Sequence, residues 1–439
     1  MGFVPHTEAE KQEMLAKIGV KSVEDLIKII PESVRLKGDL QLPPAIAEQE
    51  AVAMINNYAK MNKTTDDYVC FMGGGAYDHF IPAIVGSVIE KPEFKTAYTP
   101  YQAEISQGTL QAMYEYQSMI CALTGMEISN ASMYDCGTAL AEACYLACAK
   151  NRKTHFVIAG TVNSHLTEVM ESECAGKKFD FEYVAASDGT ADLKALEAAI
   201  TDNTSAVIVQ HPNYNGTLED VRAIAELAHA KKALFAVIVD PISLGVLETP
   251  NNYNADIVIA EGQSLGIPLC YGGPYLGILA TTKDLLRQIP GRMSGATEDS
   301  DGNRGFVLTM QTREQHIKRE KATSNICSNE GLYMLAAAVY MATMGKQGIK
   351  EVAEQSFQKA HYLAAEIAKI PGFSMANDKP FFKEFLVKTP VCPCKIVKAA
   401  MDAGIIAGIK VGDDKLLIAV TEKRTKAEMD QFVEVLKKF

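Results

Sequence analysis

From about residue 130 the chain alternates short apolar, β-branched runs with amphipathic stretches. The runs fall at 156–159, 183–185, 206–209, 235–239 and 257–259, with helix-like segments such as 192–200 and 218–231 between them. This alternation predicts βαβ units and a sheet that is largely parallel. Residues 275–280 offer one more strand after a Gly/Pro break. The longest nearly uninterrupted apolar stretch, 332–344, is too short to span a bilayer and reads as a buried helix. Beyond about residue 329 the pattern turns helical, then gives strand-like pieces and a last helix at 426–437, which suits a smaller α+β domain. The first 65 or so residues are helical and charged, with turn chemistry at Pro31-Glu32-Ser33 and Leu42-Pro43-Pro44. The expected organisation is a helical arm (1–65), a large α/β domain with a mostly parallel mixed sheet (66–330) and a small C-terminal α+β domain (331–439).

Composition narrows the partners. Of 439 residues 48% are apolar and 22% charged, which is ordinary for a globular protein of this length. The net charge is −11 and no Lys/Arg-rich run stands out, which argues against nucleic acid or an anionic membrane surface as partner. Glu8, Glu10 and Glu13 interrupt the early chain, so no secretory leader is expected. His6 stands where a myristoylation signal wants Ser or Thr. Cys121, Cys144 and Cys148 sit on apolar helical stretches and read as buried free thiols, consistent with a cytoplasmic protein. Cys392-Pro393-Cys394 lacks the second pair or nearby histidines that a zinc site needs, so no metal is expected.

In an open α/β sheet, ligands gather beyond the carboxyl ends of the strands. The residues there are Asn163-Ser164-His165, Gln210-His211-Pro212-Asn213, Asp240-Pro241 and Glu261-Gly262-Gln263-Ser264. Gly137-Thr138 opens a helix and could hold a phosphate on free backbone N–H groups, or serve as a plain cap. Asp240, His165 and this helix start together suggest a pyridoxal-phosphate scaffold, in which an Asp keeps the pyridine nitrogen protonated. The chemistry also needs a lysine for the Schiff base. None lies between Asp240 and Lys283, and Gln263 on the next strand end cannot form an imine.

The segment Ala97-Tyr98-Thr99-Pro100-Tyr101-Gln102-Ala103-Glu104-Ile105-Ser106-Gln107-Gly108 resembles the N-terminal half of the glycine-cleavage P-protein family. So do Gln311-Thr312-Arg313-Glu314-Gln315-His316-Ile317-Lys318-Arg319-Glu320-Lys321 with the following Ala322 to Cys327, Met72-Gly73-Gly74-Gly75-Ala76-Tyr77-Asp78-His79, and Glu261-Gly262-Gln263-Ser264-Leu265-Gly266. Motifs of this length are specific. The resemblance implies an aspartate-aminotransferase-like fold, that of pyridoxal-phosphate enzymes of fold type I. The implied activity is decarboxylation of glycine, with transfer of the aminomethyl group to the lipoyl arm of the H-protein. It further implies a separate first subunit of a heteromeric enzyme, whose second subunit carries the cofactor lysine. Gln263 in the lysine slot then fits the pattern. The loop around His165 departs from the His-Pro-His type of the family, and Gly137, Thr138, His165, Asp240 and Gln263 would form a vestigial cofactor pocket.

By the same resemblance, Tyr98, Thr99, Tyr101, Gln102 and Glu104 line a cleft shared with the partner subunit, together with Gly73, Gly74, Gly75, Tyr77, His79, Arg313, His316 and Arg319. The tyrosines and Glu104 could orient glycine or the lipoyl sulfur, or could be an ordered turn burying rings at an interface. His79 could be structural or catalytic. Arg313, His316, Lys318, Arg319 and Lys321 read either as a solvated or ion-paired helix face or as a contact with the partner chain or an anion. Gly73-Gly74-Gly75 lacks dinucleotide-binding spacing. Two alternatives to the subunit reading stay open. One is a non-catalytic scaffold; the other is a self-sufficient lyase using another lysine, for instance Lys283.

Overall fold

The computed structural model describes residues 5–439, so the Met1–Val4 part of the myristoylation comparison lies outside the described residues. Contacts divide the chain into two compact units, 1–63 and 64–439. The first unit holds helices Glu8–Ile18, Val23–Ile27 and Glu48–Ala59. The first two begin with reciprocal caps, Thr7 with Glu10 and Ser22 with Asp25, which satisfy otherwise free N–H groups. Among its described residues only Leu15 is buried among the apolar side chains, and Ile29, Val34, Leu36, Leu40 and Leu42 are exposed.

The second unit is built on a seven-stranded sheet. In chain order its strands are β1 (Ile128–Ser129), β2 (His155–Ala159), β3 (Asp180–Val184), β4 (Thr204–His211), β5 (Leu234–Val239), β6 (Ile257–Glu261) and β7 (Gly277–Thr281). Their spatial order is β1-β7-β6-β5-β4-β2-β3, and only β7 runs antiparallel to its neighbours. The period-two alternation of strands splits the apolar residues cleanly between the two faces. Val157, Val207, Val237 and Val258 enter one core, and Phe156, Ile208, Ala236 and Ile257 enter the other. Both faces are covered over β2, β4, β5, β6 and β7, so these strands read as nearly unbroken apolar runs, while the edge strand β3 is largely exposed and carries Asp180 and Glu182. Each fully buried Val or Ile contributes roughly 1.5–3 kcal/mol.

Helix α1 (Gln107–Thr124) and the long element α3 (Gly331–Ile367) pack on the first face, while α2 (Cys136–Asn151) packs on the second. The 332–344 run is the start of α3, buried over most of 334–341, with Leu332, Ala342 and Thr343 exposed. Gly345, at φ +61, breaks α3 just beyond it. A hairpin of Met293–Glu298 with Arg304–Thr309 lies between β7 and α3 and has no counterpart in the predicted elements. Its strands mix polar and apolar residues without strict alternation.

A second, four-stranded antiparallel sheet follows, of β8 (Ser374–Met375), β9 (Glu384–Lys388), β10 (Ile409–Val411) and β11 (Lys415–Ala419), in the order β8-β9-β11-β10. It shares a third core with helices Pro393–Asp402 and Lys426–Leu436. The two-residue strand Val69–Cys70 pairs with Ile405–Ile406, and Phe71 stacks on Phe432 at 4.8 Å. The start of the expected large domain is thus sewn into the C-terminal layer, a pairing too short to leave a sequence signal. Cys121 and Cys148 are half-buried thiols instead of buried ones, whereas Cys144 is buried. Cys392 and Cys394 pair with each other at the start of their helix.

Candidate functional site

The carboxyl ends of β2, β4, β5 and β6 open into a cavity of about 380 Å³. Its wall includes Gly74, Gly75, Tyr77, Gly137, His165 and Asp240 from the expected set. The C-terminal layer closes it with Phe382, Lys383 and Glu384, three residues that the sequence did not single out. The signal was there in outline: a lysine and a glutamate inside Phe381-Phe382-Lys383-Glu384-Phe385 must be buried with the phenylalanines, and a buried charge needs a partner.

That partner is Asp240. Lys383, only 1% exposed, places its ammonium 2.7 Å from Asp240 Oδ2. The same Nζ donates to His79 Nε2 at 2.9 Å and lies 3.7 Å from the centre of the Tyr77 ring. His79 Nδ1 in turn lies 2.5 Å from Glu422. Burial, and then the Lys383 charge, push His79 below its usual range. The ring is therefore neutral, donating to Glu422 and accepting from Lys383. Glu384 accepts from Gly74 N–H at 2.7 Å and from the Tyr77 hydroxyl at 2.9 Å, and burial pushes its carboxyl up to about 7. Burial, with the Glu384 and Asp240 charges, raises Tyr77 and keeps it a donor.

The glycine turn makes this closure possible. A Cβ at Gly73 would fall against the Glu384 carboxylate, Ala419 and the Tyr77 ring, and Gly74 and Gly75 have φ of +78 and +116. Only glycine adopts such backbone freely. Gln263 is buried beside it. Its side chain accepts from Tyr77 N–H at 2.8 Å and donates to the carbonyls of Tyr77 (3.1 Å) and Ile267 (2.8 Å), pinning the turn.

At the other end of the cavity the start of α2 is already capped. Thr138 N–H donates to Asp135 at 2.8 Å in a reciprocal capping box, and Cys136 N–H donates to Glu261 at 3.2 Å. Burial pushes Glu261 up to about 8, although Leu276 and Gln263 N–H groups also donate to it. Of the two roles open to Gly137-Thr138, the structure forms the cap. His165 lies on the helix Ser164–Cys174 with its side chain 83% exposed and 4.0 Å from Glu168.

These contacts test the pocket for pyridoxal phosphate. The cofactor needs a carboxylate for its ring nitrogen, a lysine for its aldehyde and free N–H groups for its phosphate. Here Asp240 is neutralised by Lys383, Gln263 after β6 is an amide that cannot form an imine, and two carboxyl groups occupy the helix start. The residues of this cavity do not fit the cofactor. Lys283 is exposed, outside the cavity wall, with its backbone N–H on Glu127.

The remaining expected residues gather elsewhere, around Arg292. Its Nη2 donates to Thr99 Oγ1 at 2.9 Å and its Nη1 to Asn329 Oδ1 at 3.2 Å, and its guanidinium lies 5.8 Å from the Tyr101 ring centre. Tyr101 meets the His316 ring edge-on, and Arg313 donates to the carbonyls of Met310 and Gly291. The basic segment is not one helix face. It runs through three short turns (Gln311–Arg313, Gln315–Lys318, Arg319–Lys321), with Met310 and Arg319 at φ +56 and +53. Tyr98, Gln102, Glu104 and Arg319 are exposed, Tyr98 at 88%. The expected single cleft set therefore divides: Gly73 to His79 belong to the closed cavity, and Thr99, Tyr101, Arg313 and His316 to the Arg292 cluster. Among the described residues no group of three or more His, Cys, Asp or Glu is arranged to hold a metal.

The sheet order with its one antiparallel strand, the cavity at the strand ends and the second antiparallel sheet define the class: pyridoxal-phosphate enzymes of fold type I. A sphingosine-1-phosphate lyase from Burkholderia pseudomallei superposes with TM-score 0.69 at 14% identity over 93% of this chain and 94% of that one, a likeness of fold alone. A crystal structure of a glycine decarboxylase (P-protein) in inhibitor-bound form matches far better, with TM-score 0.91 and 39% identity over 100% of both chains. The family model for the glycine cleavage system P-protein matches residues 1–436, and the chain belongs to that family. It is 51% identical over 440 residues to a probable glycine dehydrogenase (decarboxylating) subunit 1 of Chloroherpeton thalassium, covering 100% of this chain and 99% of the relative. The corresponding protein of Chlorobaculum parvum is 52% identical, with 99% of each chain covered.

Proposed function

We propose that this chain is the first subunit of a two-chain glycine decarboxylase in the cytoplasm. The assembled enzyme decarboxylates glycine and passes the aminomethyl group to the lipoyl arm of the H-protein. Pyridoxal phosphate is held by a lysine of the second subunit, where it supplies the electron sink for carbon dioxide release. The observation that carries this reading is the Asp240–Lys383 pair at 2.7 Å, which, with Gln263, leaves this chain's own pocket no place for the cofactor.

This chain's contribution is then a surface and not a second catalytic centre. The exposed Tyr98, Tyr101, Gln102 and Glu104 are free to meet the second subunit and complete its cleft, where hydroxyl and carboxylate groups can orient substrate or exclude water. The 1–65 arm, the 66–330 core and the 331–439 layer act as one subunit in this assembly. The expected result is exchange of labelled bicarbonate into the glycine carboxyl only when both purified subunits are mixed. Borohydride trapping of pyridoxal phosphate on a lysine of the isolated chain would overturn the assignment.

A further inference from the structure

Arg292 is a charged group with an unfinished shell. It is 5% exposed, yet no carboxylate lies within 4.0 Å of it among the described residues, and its Nε has no hydrogen-bond partner. Its two partners, Thr99 Oγ1 and Asn329 Oδ1, are neutral acceptors. They fix the plane of the fork and leave its positive charge intact. Asn329 is itself held, because its Nδ2 donates to the Ala131 carbonyl at 3.0 Å. A buried cation without a counter-charge is costly, and a fold that aligns one with neutral groups keeps it available for an anion.

A second guanidinium stands nearby. Arg313 donates to the carbonyl of Gly291, the residue preceding Arg292, and its Nη1 is buried without a partner. The adjacent acid, Glu314, is within reach of His316 at 3.4 Å. Beside Arg292 lies a cavity of about 70 Å³, bounded also by Tyr98, Pro100, Asn329 and Leu332. That space holds a few water molecules and therefore a ligand of similarly small size. A guanidinium edge in such a space matches two oxygens of one planar group.

We propose that Arg292, aligned by Thr99 and Asn329, binds a small carboxylate of amino-acid size. In the assembled enzyme this is the carboxylate of glycine, an assignment that rests on the subunit reading above. Inorganic phosphate shares the chemistry, so it serves as the competing probe.

The full chain alone is titrated with carboxyl-labelled glycine and acetate, and separately with inorganic phosphate, followed by carbon and phosphorus NMR line widths. The wild type is expected to broaden the carboxyl signals, with affinity falling about tenfold in Arg292→Lys, which keeps the charge and loses the fork. Thr99→Val keeps the arginine and is expected to weaken binding by about threefold, and it decides the matter if Arg292→Lys does not fold. In the assembled enzyme Arg292→Lys is expected to raise the KM for glycine about tenfold with a smaller change in kcat. Carboxyl broadening unchanged in both variants overturns the proposal, as does broadening of phosphate with none of glycine or acetate. Loss of subunit assembly in Arg292→Lys while the isolated variant still broadens the carboxyl signals like wild type also overturns it, since Arg292 would then pair with the partner. A wild-type assembly that does not exchange the glycine carboxyl overturns the functional reading instead, and the isolated-chain titration still decides the site.

Discussion

The cavity at Asp240 and the cluster at Arg292 treat buried charge in opposite ways. Around Asp240 the charge is matched within the chain: Lys383 meets the aspartate and His79 bridges Lys383 to Glu422, while Glu384 and Glu261 are held by neutral donors. Around Arg292 the partners are neutral and two guanidinium nitrogens have none. The larger cavity belongs to the closed network and the smaller one to the open cluster. Cavity size therefore misleads here. The difference lies in the charge: Asp240 and Lys383 neutralise each other, although Ser264 Oγ in the same wall has no partner, whereas Arg292 keeps its charge without a carboxylate.

The largest expected effect comes from breaking the closed network. Lys383→Met leaves the largely shielded Asp240 without its counter-charge, with only the Ile242 N–H among the described residues donating to it, and should cost about 3–5 kcal/mol in denaturant unfolding of the isolated chain. Adding Asp240→Asn removes the orphaned charge, so the double variant should recover most of that loss. If the single variant unfolds like the wild type, the pair does not hold the two layers together. Neither variant should gain stability from added pyridoxal phosphate, because Glu261 and Asp135 still occupy the helix start.

The next effect is a pH dependence. Glu384 has a folded pKa of about 7 against an unfolded value of 4.5, so the native chain binds the extra proton between those limits. Stability from this group is then present below about pH 4.5 and is lost as pH rises towards 7. Glu384→Gln keeps an acceptor and cannot ionise. Its stability relative to wild type should improve by roughly 3 kcal/mol between pH 4.5 and 7, because each pH unit between the two values is worth about 1.4 kcal/mol. Taking the difference from wild type cancels His79 and His211, whose depressed values work in the opposite sense, gaining stability as pH rises towards 6.5. A flat difference would mean that Glu384 is ionised in the folded chain.

Opening the other site should cost less. Arg292→Met gives up two hydrogen bonds but orphans no charge, and its stability cost is expected near 1–2 kcal/mol. High concentrations of acetate should raise the melting temperature of the wild type and not of this variant, because only the wild type has a site for it. Equal shifts in both would return the two regions to the same footing.

The sequence carried six of the sheet's seven strands, since a mostly parallel sheet buried on both faces leaves apolar runs bounded by turns, whereas the two-residue β1 leaves none. It also carried the absence of a lysine beyond β6. The ion pair that neutralises Asp240 was out of sight, because Asp240 and Lys383 are 143 positions apart and meet through the packing of two layers. The hairpin of Met293–Glu298 and Arg304–Thr309 was hidden by its mixed polarity, and with it the register that brings Arg292 beside Thr99. The basic run after residue 310 looked helical from its composition, but the positive φ angles of Met310 and Arg319 divide it. Local pattern predicts elements; pairing of distant charges is decided only when the elements pack.

The smallest expected effect probes whether the Asp240 cavity is inert. His165 reaches its wall but its side chain is 83% exposed, its backbone N–H donates to Asn163 Oδ1, and its ring lies 4.0 Å from Glu168. An exposed ion pair at that distance contributes little. His165→Ala should therefore change stability by no more than about 0.5 kcal/mol and leave bicarbonate exchange by the mixed subunits unchanged. Loss of exchange by about tenfold, with assembly intact, would mean that a ligand or a group from the second subunit meets this ring. The Asp240 cavity would then be a working site despite its internal pairs, and the contrast with Arg292 would have to be redrawn.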